Sequence, residues 1–252
     1  MTHLKRDKEI KLMAKAGEIT AKAMEAVAKK ISPGVKTIEL DKIAEDTIAK
    51  LGAESSFKKV KGYKHTICTT PNDWVVHGIP GEYKLKEGDI IGIDLGAYYK
   101  GFHSDMAQTF PVGEISKEAE RFLGVGRTAL EEAIKKVNQG NRIGDISSTI
   151  QKFVEGGGYS VVRELVGHGV GRELHEDPLI PGVGKEGKGP KIEKGMVLAI
   201  EVIYNKGVKE IQLLPDQWSI TTKDREIAGL FERTVAVTEK GTLVLTPEPK
   251  KW

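Results

Sequence analysis

The sequence predicts an α+β fold built from two related halves, and three observations carry that prediction. The chain matches itself when it is laid over itself at a shift of about one hundred residues. Apolar residues keep the 3.6-residue spacing of amphipathic helices in corresponding stretches of each half. Short apolar runs beside glycines, several of them ending in a carboxylate, read as strands.

The repeat is seen in two places. V-A-K-K-I-S-P-G-V-K-T-I-E-L from Val27 to Leu40 lies over A-I-K-K-V-N-Q-G-N-R-I-G-D-I from Ala133 to Ile146, each a helix end, a glycine turn and a new helix. K-E-G-D-I-I-G-I-D from Lys86 to Asp94 lies over E-K-G-M-V-L-A-I-E from Glu193 to Glu201, so Asp94 and Glu201 are candidate equivalents. The expected organisation is one domain over residues 1–252, with halves of about 1–110 and 111–252 related by a pseudo-twofold axis.

Taken in order, Ile10, Met13, Ala16, Ala23, Met24 and Val27 define a first helix that Ser32-Pro33-Gly34 stops, because proline removes a donor and glycine permits a left-handed turn. Leu40, Ile43, Ala44, Thr47, Ile48 and Leu51 define a second, with Thr37 as expected N-cap and Gly52 as stop. Ile146, Ile150 and Phe153 repeat this pattern in the second half. Strands are expected at Ile90 to Asp94, Met106 to Val112, Val161 to Leu165, Met196 to Ile203 and Thr234 to Val237.

Composition bounds the function. The chain has 252 residues, 39% apolar and 30% charged, ordinary for a soluble globular protein with a sizeable core. No run of apolar residues is long enough to span a bilayer, and Met1 to Lys11 is charged without a hydrophobic stretch. Neither a transmembrane helix nor a signal peptide is expected, and the expected location is the cytoplasm. A lone Cys68 excludes an intrachain disulfide framework and a thiolate metal site. The net charge of +3, with both signs interspersed, gives no footprint for nucleic acid.

Five residues stand out as candidate metal ligands: Asp94, Asp105, His168, Glu201 and Glu232. Each sits where an apolar strand or a Gly-flanked turn would deliver it to one buried point. Four carboxylates and an imidazole suit hard or borderline divalent ions, and shared carboxylates can bridge a pair. A hairpin turning at Tyr99-Lys100 would set Asp94 opposite Asp105, and one turning at Lys100-Gly101 would set it opposite Ala107; both leave the acids on one face. Singly these residues have plainer readings: an Asp before Leu-Gly as a turn residue, a His in V-G-H-G-V-G-R as a surface residue. His77 in V-V-H-G-I-P and His175 in L-H-E-D-P occupy pocket-like contexts suited to proton transfer. His3, His65 and His103 are read as structural.

The strings N-D-W-V-V-H-G-I-P, I-G-I-D-L-G-A-Y-Y-K-G-F-H-S-D, V-G-H-G-V-G-R-E-L-H-E-D-P, K-G-M-V-L-A-I-E and F-E-R-T together resemble the type I methionine aminopeptidases, over nearly the whole chain. The resemblance implies the pita-bread fold, with a central antiparallel sheet between the two halves. It implies two divalent ions (Co, Mn, Fe or Zn), with Asp94 chelating one, Asp105 and Glu232 bridging, and His168 and Glu201 completing the other. Glu201 would shuttle the proton, His77 and His175 would contact substrate, and Tyr63, Cys68 and Trp218 would line the methionine pocket or serve as plain core. The implied substrate is the N-terminus of a nascent polypeptide or peptide with a small second residue. The implied protein is a short, bacterial-like monomer, with ribosome contact left open.

Three positions depart from the family pattern: Val202 where proline is usual, Arg233 where histidine is usual, and Leu174 where an aromatic residue is common. Arg233 is expected to face away from the ligands, and Leu174 to reshape the pocket. Two other readings share the ligand set or the fold: an aminopeptidase P or prolidase-like Xaa-Pro hydrolase, whose usual N-terminal domain has no counterpart in this sequence, and a non-catalytic binding module.

Overall fold

The structure, a computed structural model, describes residues 2–248. Helix α1 (Asp7–Ala28) buries Ile10, Met13, Ala16, Ala23, Met24 and Val27, the stripe expected of an amphipathic helix. Helix α2 (Thr37–Lys50) buries Leu40, Ala44 and Ile48, and Gly52 past its end has φ 77°, a left-handed turn that favours glycine. Its N-cap is Lys36 rather than Thr37. The Thr37 hydroxyl is drawn off the helix to Gly81, donating to its carbonyl at 3.0 Å and accepting its N–H at 2.8 Å. Helices α3 (Lys117–Ile134), capped by the Ser116 hydroxyl, and α4 (Ile143–Gly156) form the second pair.

Among the described residues the largest sheet has nine strands. Seven run in the order Glu176–Pro181, Val166–Gly169, Val197–Asn205, Ala228–Thr238, Met106–Pro111, Ile90–Leu95 and Ile67–Pro71. Each neighbouring pair is antiparallel, and the halves meet where Phe231 pairs with Gln108. Side chains alternate across a strand, so each strand divides its residues between two faces. Ile91, Ile93 and Leu95 pack with Met24, Leu40 and Ile48 of α1 and α2. Leu198, Ile200 and Val202 pack with Phe122, Leu130 and Ile150 of α3 and α4. The same alternation sends Asp94 and Glu201 to the opposite face.

The repeat reappears in the backbone. A bridge joins Lys36 to Lys84 in the first half and Arg142 to Lys191 in the second. Gly88 (φ 87°) and Gly195 (φ 92°) make the turns that lead into the Asp94 and Glu201 strands.

Two expected strands differ. Val161 to Leu165 divides into Ser160–Val161, paired with Tyr204 and Asn205, and a strand that begins only at Val166. Between them the Arg163 N–H bonds to the Glu164 carboxylate, a local partner that replaces a ladder bond. Thr234 to Val237 is the end of the eleven-residue strand Ala228–Thr238, whose residues are buried on both faces. Glu232 and Arg233 interrupt its apolar run and hide the longer strand from the sequence pattern.

Candidate metal centre

The Asp94 hairpin takes the second of its two registers. Lys100 (φ 48°) and Gly101 (φ 90°) form the turn, Tyr99 faces Phe102, and Asp94 faces Ala107. Positive φ at both turn residues matches the right-handed twist of the flanking strands. Asp105, two residues before Ala107, therefore shares the face of Asp94. Glu201 and Glu232 are direct register partners in the second half, and His168 lies opposite Ala199. The glycines flanking His168 are required by close approach. A Cβ at Gly167 would stand 2.6 Å from the Ala199 carbonyl oxygen, and one at Gly169 would collide with the Asp177 carbonyl.

The five candidate ligands converge. His168 Nε2 lies 3.8 Å from Asp105 Oδ2 and 3.7 Å from Glu201 Oε1, and donor atoms of Asp105, His168 and Glu232 all fall within 4.8 Å of one another. His168 Nδ1 is 2.8 Å from the Gly169 carbonyl, which can only accept, so Nδ1 carries the proton and Nε2 presents its lone pair to the acids. Burial, then His175, pushes His168 down to about 4 and keeps it neutral.

The carboxylates are pushed the other way. Burial raises Asp94 to about 7. Asp105, Glu201 and Glu232 are raised well above the usual carboxylate range by burial first, then by one another and Asp94. Asp94 Oδ1 and Glu232 Oε1 are buried with no hydrogen-bond partner among the described residues. Four acids that repel each other, two of them with orphaned oxygens, form a site that a cation completes. The donor set fits a divalent metal and excludes a thiolate, since burial and then Asp94 raise the Cys68 thiol well above its ordinary value.

All ten sequence-predicted site residues line one cavity of about 130 Å³. His77 and His175 stand at its exposed mouth, with the His175 ring edge-on to His168 at 4.4 Å. Though partly open to solvent, both are crowded enough by the cleft walls to lie below the usual imidazole range, and His175 adds to the effect on His77. His77 has φ 58°, a left-handed conformation that a non-glycine side chain rarely adopts. Beside the acids, Phe57, Tyr63, Cys68 and Leu174 form an apolar wall, joined by Val60 and by Trp218, whose ring lies 5.2 Å from that of Tyr63.

Phe57, Val60, Val76 and Leu230 also line the cavity and were not expected there. The spacing of Phe57, Val60 and Tyr63 by three residues is the available signal. Phe57 opens the 3₁₀ turn Phe57–Lys59, and Val60 caps it, its N–H donating to the Phe57 carbonyl at 2.9 Å. Of the departures from the family pattern, Val202 is buried against the helices and Leu174 sits in the apolar wall. Arg233 lies on the helix side of the sheet, donating to the carbonyls of Glu232 (2.7 Å) and Ala107 (3.2 Å) and to Gln108 Oε1 (2.5 Å). It is lowered by burial only to about 10 and stays charged at neutral pH.

A family model described as metallopeptidase family M24 matches residues 11–239. A methionine aminopeptidase of Clostridium perfringens is 46% identical over 246 residues, covering 98% of this chain and 99% of the relative. Methionine aminopeptidase 1 of Bacillus subtilis is 46% identical over 242 residues, covering 96% and 98%. The crystal structure of methionine aminopeptidase from Thermotoga maritima superposes with a TM-score of 0.96 at 42% identity, covering 98% of this chain and all of that one. Prolidase from Pyrococcus furiosus shares the fold, with a TM-score of 0.78 at 24% identity, covering 97% of this chain and 65% of that one. With its pita-bread architecture and its buried acid and histidine cluster, the chain belongs to metallopeptidase family M24 and, within it, to the methionine aminopeptidases.

Proposed function

We propose that the cleft removes the N-terminal methionine from peptides and nascent chains whose second residue is small, and that it holds two divalent cations to do so. The observation that carries this reading is the convergence of five donor side chains, drawn from both halves, beside an apolar wall. Asp94, Asp105, His168, Glu201 and Glu232 would hold the cations, with the carboxylates of Asp105 and Glu232 available to both. When bound, such cations would supply an activated water and polarisation of the first peptide carbonyl. Glu201 takes the proton at its carboxylate and returns it to the departing amine. The imidazoles of His77 and His175, at the mouth, hold the peptide backbone and donate to the oxygen on which charge develops. Tyr63, Cys68 and Trp218, with Leu174, receive the methionine side chain, whose flexible thioether suits an apolar slot. A narrow second subsite rejects bulky side chains by overlap.

On this reading residues 1–252 act as one catalytic domain, as a monomer in the cytoplasm, where nascent chains are made. Residues His3, His65 and His103 stay outside the chemistry. Release of free amino acid from Met-Ala-Ser and Ala-Pro-Ser, by chelator-stripped protein with Mn, Fe, Co or Zn restored in turn, tests the reading. Methionine release alone is expected and identifies the usable metals. Cleavage only before proline would move the activity to the Xaa-Pro class, and silence on both peptides with metal bound would point to an altered pocket or a binding role.

A further inference from the structure

The segment before α1 reaches the turn that carries His175 through one buried side chain. Its backbone is tied to the sheet by the Lys5 N–H, which donates to the Gly195 carbonyl at 2.7 Å. The Lys5 ammonium then lies 2.6 Å from Glu176 Oε2, and the two side chains are only 5% and 6% exposed. A lysine is seldom buried so fully unless paired, and the partner here is far away in sequence. The other oxygen of Glu176 accepts the backbone N–H groups of Arg172 (2.8 Å) and Glu173 (3.3 Å). One carboxylate thus closes the turn from Gly171 to Glu176 and anchors it to the start of the chain. Gly171 has no room for a side chain, since a Cβ there would stand 2.5 Å from Lys5 Cε and collide with the Glu176 carboxylate. Its carbonyl accepts the His103 N–H at 2.8 Å, and Glu176 pairs with Gly169 in the sheet, so the turn is held at both ends.

His175 projects from this turn, immediately before Glu176. Its side chain is exposed, so the backbone that carries it must hold the ring over His168. We propose that Lys5 is a positioning residue, whose buried ion pair with Glu176 locks the turn and so fixes His175 against the metal cluster. Burial works against the Glu176 charge, but the Lys5 ammonium and the two N–H donors outweigh it and hold the carboxyl below its ordinary range. The lock is therefore closed at neutral pH. The inference rests on the role assigned to His175 above, and its test separates the two.

Lys5→Met keeps the length of the side chain and removes its charge. With Met-Ala-Ser and Mn, kcat should fall by about 10-fold or more, since a small misplacement of a catalytic group is costly. Calorimetric titration should still find the metal stoichiometry of the wild type. In a His175→Ala background the Lys5→Met change should have no further effect, the non-additivity expected of residues that act through one another. In metal-free protein, the amides of Arg172 and Glu173 should exchange faster in Lys5→Met than in wild type.

Wild-type kcat in Lys5→Met, the same proportional loss with and without His175, or unchanged exchange at those two amides would each overturn the proposal. Should Lys5→Met fail to fold, Glu176→Gln removes the same ion pair while keeping an acceptor for the turn, and the same outcomes apply. Full turnover in His175→Ala alone would instead remove the role assigned to His175, while the exchange measurement would still report whether Lys5 holds the turn.

Discussion

The two halves share a frame but not its contents. Asp94 and Glu201 occupy corresponding strands, and each is followed across its ladder by a second acid, Asp105 in the first half and Glu232 in the second. The first half uses the shorter carboxylate twice and joins its strands by the tight Lys100-Gly101 turn. The second uses the longer one twice and joins its strands through an excursion. That excursion carries Ile211–Leu213 and Ile220–Thr222, the latter paired with both the former and Trp74–Val76, and it brings Trp218 to the cleft. Where the second half sets His168 opposite Ala199, the first sets Thr70 opposite Gly92. The duplicated backbone thus accounts for two pairs of acids meeting at one point. The nitrogen donor comes from a different side chain at an equivalent strand position, and Trp218 comes from the excursion of the second half.

Breaking the second half at its acid should have the largest effect. Glu201→Ala is expected to lower kcat on Met-Ala-Ser by about 10³-fold or more while the circular dichroism spectrum stays that of wild type; full activity would refute the proton-transfer role. Removing the asymmetric donor comes next. His168→Ala should weaken divalent metal binding by at least about 100-fold, beyond what loss of an outer hydrogen-bond partner causes, and a Mn titration measures it. If metal affinity is unchanged, the symmetric carboxylates alone make the site.

The frame itself is tested by equivalent core positions. Ile93 and Ile200 are both fully buried, each against its own helix pair. Truncation of either to Ala should cost about 2–5 kcal/mol in urea unfolding, with similar losses in the two halves. A loss confined to one half would show that the other helix pair adds little to global stability.

The smallest effect is on pH dependence. In metal-free protein the acids have folded pKa values above their unfolded ones, Asp94 about 7 against an ordinary 3.8. The folded state then holds more protons, so the stability these groups contribute is present at low pH and lost as pH rises, for Asp94 between its ordinary 3.8 and about 7. His168 and His103, held down to about 4, act in the opposite sense, but only below their ordinary value of 6.5. Between about pH 6.5 and 8 the Tm of chelator-treated protein should fall by about 4 °C or more, and saturating Mn should abolish the fall. A Tm that rises over this interval in metal-free protein would show that the acids are not the dominant titrating groups.

Much of the site was legible because it is written in local patterns. M-V-L-A-I-E and I-I-G-I-D each announce a strand with an acid off its apolar face, and the likeness of Lys86–Asp94 to Glu193–Glu201 announces that two such strands correspond. Phe57, Val60, Val76 and Leu230 were not legible as lining, since an apolar residue in a short turn or a strand reads the same whether it faces a core or a cavity. The cap of α2 is hidden from the sequence for a similar reason. Thr37 has the chemistry of an N-cap, but Gly81 competes for its hydroxyl from 44 residues away.

By itself, then, the sequence determined which residues alternate and which recur. Ile93 and Ile200 go to the helices, Asp94 and Glu201 to the other face, and α1 and α2 have counterparts later in the chain. These are properties of spacing, set by backbone geometry within a few residues. Only the tertiary structure decided the Lys100-Gly101 register, the full length of the Ala228–Thr238 strand, the burial of His168, and the pairing of Lys5 with Glu176. Each of these depends on which of several locally acceptable conformations buries the most apolar surface and satisfies the most polar atoms across the whole sheet, and no short window of sequence contains both partners.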